Sequence, residues 1–258
     1  MGFINTPNDG GFTPPNERTV FLDQYGDAAF DGKSLERPLP SLSDAITVIN
    51  GLTPPVSGSD AASIISIGRS TISDEATIPD YCSVNAQNLI VESAQSVTIE
   101  VGGFASCRLG VATNTHATGI AVHLNNKASS RVEVLAAISS GVCIRIDGTS
   151  VDNFVNFGQL IPTASGAIGI HLTTSTTLPE SIQGNEITLS VNGTYGIVAN
   201  KPSGTSSILN VEQIVNEGSL LNTVGVDLDG GGKFSSSMIN IKTNTAVHIK
   251  GGSEYSIA

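Results

Sequence analysis

Gly119-Ile-Ala-Val-His-Leu124, Gly141-Val-Cys-Ile-Arg-Ile146, Gly169-Ile-His-Leu172, Gly196-Ile-Val-Ala199, Gly225-Val-Asp-Leu228 and Ala246-Val-His-Ile249 repeat one short motif. Each copy has a glycine or alanine followed by alternating apolar positions. The steps between copies are 22, 28, 27, 29 and 21 residues. A second β-like run lies between successive copies, beginning at Arg131, Asn153, Asn185, Ile208 and Met238. Each period therefore holds two strands plus turns. Self-similarity on this length scale marks a solenoid. The LxxLxL spacing of leucine-rich repeats is missing, and so is the helical periodicity of ankyrin or tetratricopeptide repeats. Propeller blades are longer and richer in aromatics. The remaining architecture is a parallel β-helix, in which each strand pairs with its counterpart one coil away, at about 4.8 Å. Val226 and Leu228 then point inward and Asp227 outward.

Working toward the N-terminus, Ile64–Ile67, Thr77–Pro79, Leu89–Val91 and Val97–Val101 are further short β-like runs. Pro, Gly, Asn and Ser punctuate them. Thr19–Leu22 reads as another strand. Between these lies one helical signal. Ser41 and Asp44 have the spacing of a capping box, with Asp in place of Glu. Leu42, Ala45, Ile46 and Ile49 follow at helical intervals, and Gly51 supplies a stop. Ser41 to Asn50 is predicted as a short helix whose stripe Leu42, Ile46 and Ile49 closes the first coil. An open solenoid end would expose unpaired strand edges.

The 258 residues are 39% hydrophobic and only 14% charged, which suits many short strands rather than disorder. The net charge of -11 disfavours nucleic acid as a partner, since phosphate contacts need a basic surface. Cys82, Cys107 and Cys143 form no CxxC and imply neither a disulfide framework nor a zinc site. No apolar run approaches a membrane span, so no membrane insertion is expected.

The block Tyr25 to Ile46, YGDAAFDGKSLERPLPSLSDAI, resembles the opening segment of pectin-lyase-like right-handed parallel β-helices. That segment runs Gly-Asn/Ser-Asp, Asp-Gly, a Pro, then a short Thr-Ile-Gln-x-Ala-Ile helix. The stretch ISIGRSTISDEATIPDYCSVNAQNLIVES, from Ile65, resembles the family's first coil, with Thr71 where the family often has Tyr. The later cadence is similar to that of bacteriophage tail spikes, tail fibres and other virion β-helix proteins.

The resemblance implies an all-β, single-stranded right-handed parallel β-helix with an N-terminal capping helix. It divides the chain into an extended anchoring segment (1–18), a lead-in strand and capping helix (19–61) and the β-helix (62–258). Phe3, Ile4 and Phe12 are the sizeable apolar groups of the Pro/Gly-rich start and are expected to anchor it to other virion proteins. The expected function is structural and adhesive: a tail fibre, tail spike, baseplate piece or capsid appendage assembled in the host cytoplasm. The expected partners are two further copies, in a homotrimer, and host-surface glycan is a further candidate. Residues near Ile249 and Ile257, in the last coil, are expected to be covered between subunits. The alternative is a polysaccharide depolymerase, a glycosidase or lyase acting on host glycan.

Depolymerase chemistry needs converging carboxylates. Glu186 and Glu212 are the candidates, on equivalent strands one coil apart, with Glu186 or Thr188 facing Glu212 according to register. Asp227 and Asp229, ahead of three glycines, are the candidate cation ligands, although the EF-hand spacing is absent. No cofactor is expected. His171 and His248 are placed on one outward column with Cys143, Val198 and Asp227, a mildly apolar face suited to a neighbouring subunit. His116 and His123 flank another copy without forming a ligand pair.

Overall fold

The computed structural model describes residues 18–52, 61–67, 70–72, 75–150, 152–174, 180–202, 206–236 and 240–257. Phe3, Ile4 and Phe12 lie outside them. In chain order the elements are β1 (Thr19–Leu22), α1 (Leu42–Asn50), β2 (Ala62–Ser66), β3 (Ser70–Ile72), β4 (Ala76–Ile78), β5 (Cys82–Ser93), β6 (Val97–Val101), β7 (Ser106–Asn114), β8 (Ile120–Asn125), β9 (Arg131–Ser139) and β10 (Val142–Gly148). They continue with β11 (Phe154–Pro162), β12 (Ile168–Thr174), β13 (Glu180–Leu189), β14 (Tyr195–Asn200), β15 (Ser206–Asn216), β16 (Val224–Asp229), β17 (Lys233–Ser236), β18 (Asn240–Lys242), β19 (Thr245–Ile249) and β20 (Glu254–Ile257).

These strands form two sheets, one of 12 and one of 8 strands. Strands named here pair in parallel with their counterparts on the coils before and after, as a β-solenoid requires. The chain alternates between the sheets, one long strand in the larger and one short strand in the smaller per coil. β1 joins the larger sheet through β2, so the lead-in strand shares the core of the β-helix.

Alternation within strands and register between them turn side chains into columns. Val20, Ile64, Val84, Cys107, Val132, Val155, Ile182 and Leu209 stack inside the larger sheet, each buried. Ile99, Val122, Ile144, Ile170, Ile197 and Val226 stack inside the smaller one. Burying a side chain of this size contributes about 1.5–3 kcal/mol before entropy is set against it.

The register corrects the phase of the repeat. Ile144 pairs with Ile170, so that step is 26 residues and not 28. Gly119 and Gly141 sit two positions ahead of Gly169, Gly196 and Gly225, whose equivalents are Ala121 and Cys143. This column must be small for a packing reason. A Cβ on Gly169 would lie 2.6 Å from Gly196 O and 2.8 Å from the Ile187 side chain. Ala121 and Cys143 are fully buried in the same column. The outward column therefore carries Arg145, and not Cys143, beside His123, His171, Val198, Asp227 and His248. It is a charged face, which overturns its reading as mildly apolar.

The long strands bend at mid-length. There the pairing skips one residue per coil: Gly110, Leu135, Gly158, Asn185 and Glu212. Another corner is built from left-handed residues other than glycine. Tyr81, Phe104, Ser129 and Asp152 have φ of 56, 52, 51 and 52° on successive coils. Tyr81 and Phe104 stack there, with centroids 5.1 Å apart and planes 4° from parallel.

Helix α1 begins at Ser41, whose Oγ accepts from Asp44 N at 3.1 Å and donates to Asp44 Oδ2 at 2.6 Å. Leu42, Ala45, Ile46 and Ile49 are buried. They belong to the same core cluster as the first coils, and the helix packs against β1, β2 and β4. Gly51 ends the helix at φ -74°, right-handed, so its freedom to adopt positive φ is not used. No helix among the described residues is long and apolar enough to cross a membrane.

Candidate functional site

The candidate catalytic carboxylates, Glu186 and Glu212, lie on the outside of the larger sheet. Glu186 pairs in register with Gln159 on β11 and Gln213 on β15. Gln159 Nε2 donates to Glu186 Oε1 at 3.0 Å and to Thr188 Oγ1 at 3.1 Å. Thr188 and the Gln213 amide also donate to Glu186. The Thr188 hydroxyl, with the two amides, lowers the Glu186 pKa against a smaller opposing effect of burial. Hydrogen bonds thus hold this group as a carboxylate, whereas a glycosidase acid needs a raised pKa.

Glu212 is exposed on the bend, level with Asn185, while Gln213 faces Glu186 and Val215 faces Thr188. Neither register considered from sequence places Glu212 opposite Glu186 or Thr188. The two carboxylates sit in a polar corner: Asn156, Gln183 and Asn210 on one side, Asn185 and Glu212 on the bend, Gln159, Glu186 and Gln213 on the other. Amides dominate this corner, and they offer donors and acceptors together.

The smaller sheet carries the charged outer face. His123 Nε2 is 3.1 Å from Asp147 Oδ1, and Arg145 Nε is 2.6 Å from Asp147 Oδ2. His171, next on the column, has its pKa lowered by burial and then by Arg145, with Asp147 opposing. Further along, His248 Nδ1 lies 3.0 Å and Lys250 Nζ 3.3 Å from Asp227. Asp229 Oδ1 accepts from Gly230 N at 2.8 Å, and its Oδ2 is 3.9 Å from Lys250 Nζ. Asp227 and Asp229 thus face protein cations and a backbone donor. No group of three or more metal-ligating side chains occurs among the described residues. His116 stands apart on a turn, with Nδ1 3.3 Å from Thr118 N.

Sequence reasoning missed a polar ladder inside one corner. Asn153 Oδ1 accepts from Ser130 N at 2.9 Å, and Glu180 Oε2 accepts from Asn153 N at 2.9 Å. Lys201 Nζ donates to Ser207 Oγ at 3.0 Å. Glu180 and Lys201 are fully buried. Burial raises the Glu180 pKa and lowers that of Lys201, each partly offset by the other's charge. The available signal was position: Ser130 and Asn153 each stand one residue before an outward-facing strand start, Arg131 and Phe154, and hence point inward.

The three cysteines are buried and free. Desolvation pushes the Cys82 and Cys143 thiols up to about 12 and Cys107 higher still, so thiolate chemistry is suppressed. Among the described residues, Gln159–Glu186–Gln213 on the larger sheet and His123–Asp147–Arg145 on the smaller one thus satisfy one another between coils. No protein-family model, curated protein or solved structure matches the chain.

Proposed function

We propose that the chain is a structural and adhesive component of a bacteriophage virion. It acts as a homotrimer in a tail fibre, spike, baseplate or capsid appendage. The resemblance of Tyr25–Ile46 to pectin-lyase-like β-helices, and of the later strand cadence to virion β-helix proteins, supports this reading. The observation that carries it is the Gln159–Glu186–Gln213 ladder. Its carboxylate is held ionised by the Thr188 hydroxyl and two amides, whereas a glycosidase acid needs a raised pKa, which suits attachment better than cleavage. Host-surface glycan would meet the exposed amide corner at Gln183 and Asn185, where rigid donors and acceptors suit sugar hydroxyls. Residues 1–18, with Phe3, Ile4 and Phe12, would fasten the chain to other virion proteins.

The test is incorporation. Deleting residues 2–18 is expected to abolish labelling of assembled particles by an antibody to the β-helix, with the far-ultraviolet spectrum of the purified protein unchanged. Unchanged labelling would refute the anchor. Release of sugar fragments from host polysaccharide, lost in Glu186→Gln or Glu212→Gln, would replace attachment by depolymerase activity.

A further inference from the structure

The left-handed corner carries a stack of rings that stops one layer short. Tyr81, Phe104, Ser129 and Asp152 are equivalent residues on successive coils, each two positions ahead of a paired residue: Ser83, Ser106, Arg131 and Phe154. All four have positive φ. That conformation disfavours bulky side chains, so a pair of aromatic residues there points to a use for the rings. Tyr81 covers one face of Phe104. On the other face the next layer holds only the short Ser129 side chain, and Phe104 is 54% exposed. Asp152 bounds that layer on its far side, with Oδ2 3.4 Å from Ser129 Oγ. Ser129 and Asp152 are both exposed. Among the described residues no cation pairs with Asp152. We propose that the space over Ser129, between the Phe104 ring and the Asp152 carboxylate, binds the guanidinium of an arginine presented by a basic segment of a partner protein. The site is separate from the amide corner and independent of the homotrimer.

The chain contains the same arrangement with its own arginine in place. Arg131 and Phe154 are in register one coil apart, and Arg131 Cζ lies 4.9 Å over the Phe154 ring. Glu133 Oε1 holds Arg131 Nε from the side at 2.8 Å. One coil step thus sets the distance from ring to guanidinium, and a carboxylate within reach takes its edge. At Phe104 the ring and the carboxylate recur, with the Ser129 layer between them. The chain's nearby cations are engaged elsewhere. Arg131 is turned onto Phe154, Arg108 pairs with Glu133, and Lys127 Nζ lies 3.3 Å from Asp80 Oδ1.

Charge and shape select this occupant. A chain with net charge -11 attracts basic segments at long range. The Asp152 carboxylate repels a phosphate or a second carboxylate. A guanidinium is planar and weakly hydrated, so it can lie flat on the ring while its N–H groups donate to Asp152 and Ser129. An ammonium is a compact, strongly hydrated charge and matches the flat layer less well.

The test is saturation-transfer NMR on the full chain at low salt, with the peptide acetyl-Gly-Arg-Gly-amide as probe. Transfer to the arginine methylenes is expected, several-fold weaker for the lysine analogue and falling as salt is added. Phe104→Asn keeps a side chain that tolerates positive φ and is expected to abolish the transfer. Asp152→Asn is expected to weaken it several-fold. Ser129→Phe, which extends the ring stack into the layer, is expected to block it with an unchanged far-ultraviolet spectrum. Absence of transfer in the wild type overturns the site, as does equal transfer to the lysine analogue or arginine binding that survives Phe104→Asn. Transfer to methyl glucoside in place of the peptide, lost in Phe104→Asn, would make the corner a sugar platform and overturns it too. Should Phe104→Asn misfold, Ser129→Phe decides the matter, and undiminished arginine binding in that variant overturns the proposal.

Discussion

At single residues, the columns are size-matched across coils. Gly184 lies next to Phe157 in register, and a Cβ there would meet the ring at 2.5 Å. Gly184→Val is therefore expected to cost about 1–3 kcal/mol by overpacking, read as a lower denaturant midpoint. His171 gives a pH dependence. Its folded pKa lies below the ordinary 6.5, so its contribution to stability is complete above 6.5. That contribution fades as pH falls through the folded value. Melting temperature should decline on acidification below 6.5, and His171→Gln should flatten that decline. A steeper decline in the variant would contradict the assignment. The inward and outward sense of Val226, Asp227 and Leu228 was legible, because period-2 alternation alone sets it. The placement of Cys143 outside was not. Gly141 and Gly169 are both closed to a Cβ by a neighbouring backbone carbonyl, yet they stand in columns two positions apart while looking alike in sequence.

Among the elements, the helix was the most legible. Its cap, stripe and length all follow from local chemistry between Ser41 and Gly51. Ser41→Ala removes an acceptor from the first turn and is expected to cost about 1 kcal/mol. Ile46→Ala, at the contact with the first coil, is expected to cost about 2–5 kcal/mol. Both are checked by chemical denaturation. Dye binding to exposed apolar surface should rise in the Ile46 variant before the β signal is lost, because the first coil is what the helix covers. The long strands were less legible. Alternation across β9 slips at Leu135, where two successive side chains face outward. A sequence pattern reads such a slip as the end of a strand. The bend that places Glu212 level with Asn185, and not with Glu186, is the same slip two and three coils later. Site geometry was thus lost where it depended on the bend, as at Glu212, or on the phase of the repeat, as at Cys143.

For the whole molecule, the period of the repeat was enough to find the parallel architecture, because each coil repeats the same solution to burying two sheets. The buried Glu180 was out of reach, since its partner Asn153 comes from the coil before, and Lys201 was out of reach because it meets Ser207 only across a turn. Pairing between coils has a mechanical consequence. The inter-strand hydrogen bonds run along the solenoid axis, and the backbone crosses from coil to coil once per turn. A pull on the two ends along that axis loads the bonds of one coil boundary together and then releases a whole coil of slack. Equivalent residues are 22 apart between β8 and β10 and 29 apart between β14 and β16. At about 3.3–3.6 Å per extended residue, each rupture should lengthen the chain by roughly 70–100 Å. Single-molecule stretching between the ends should therefore give a sawtooth of unequal teeth, whose spacing reports which turn has opened. A tether built this way yields in instalments, dissipating work at each step while the remaining coils hold.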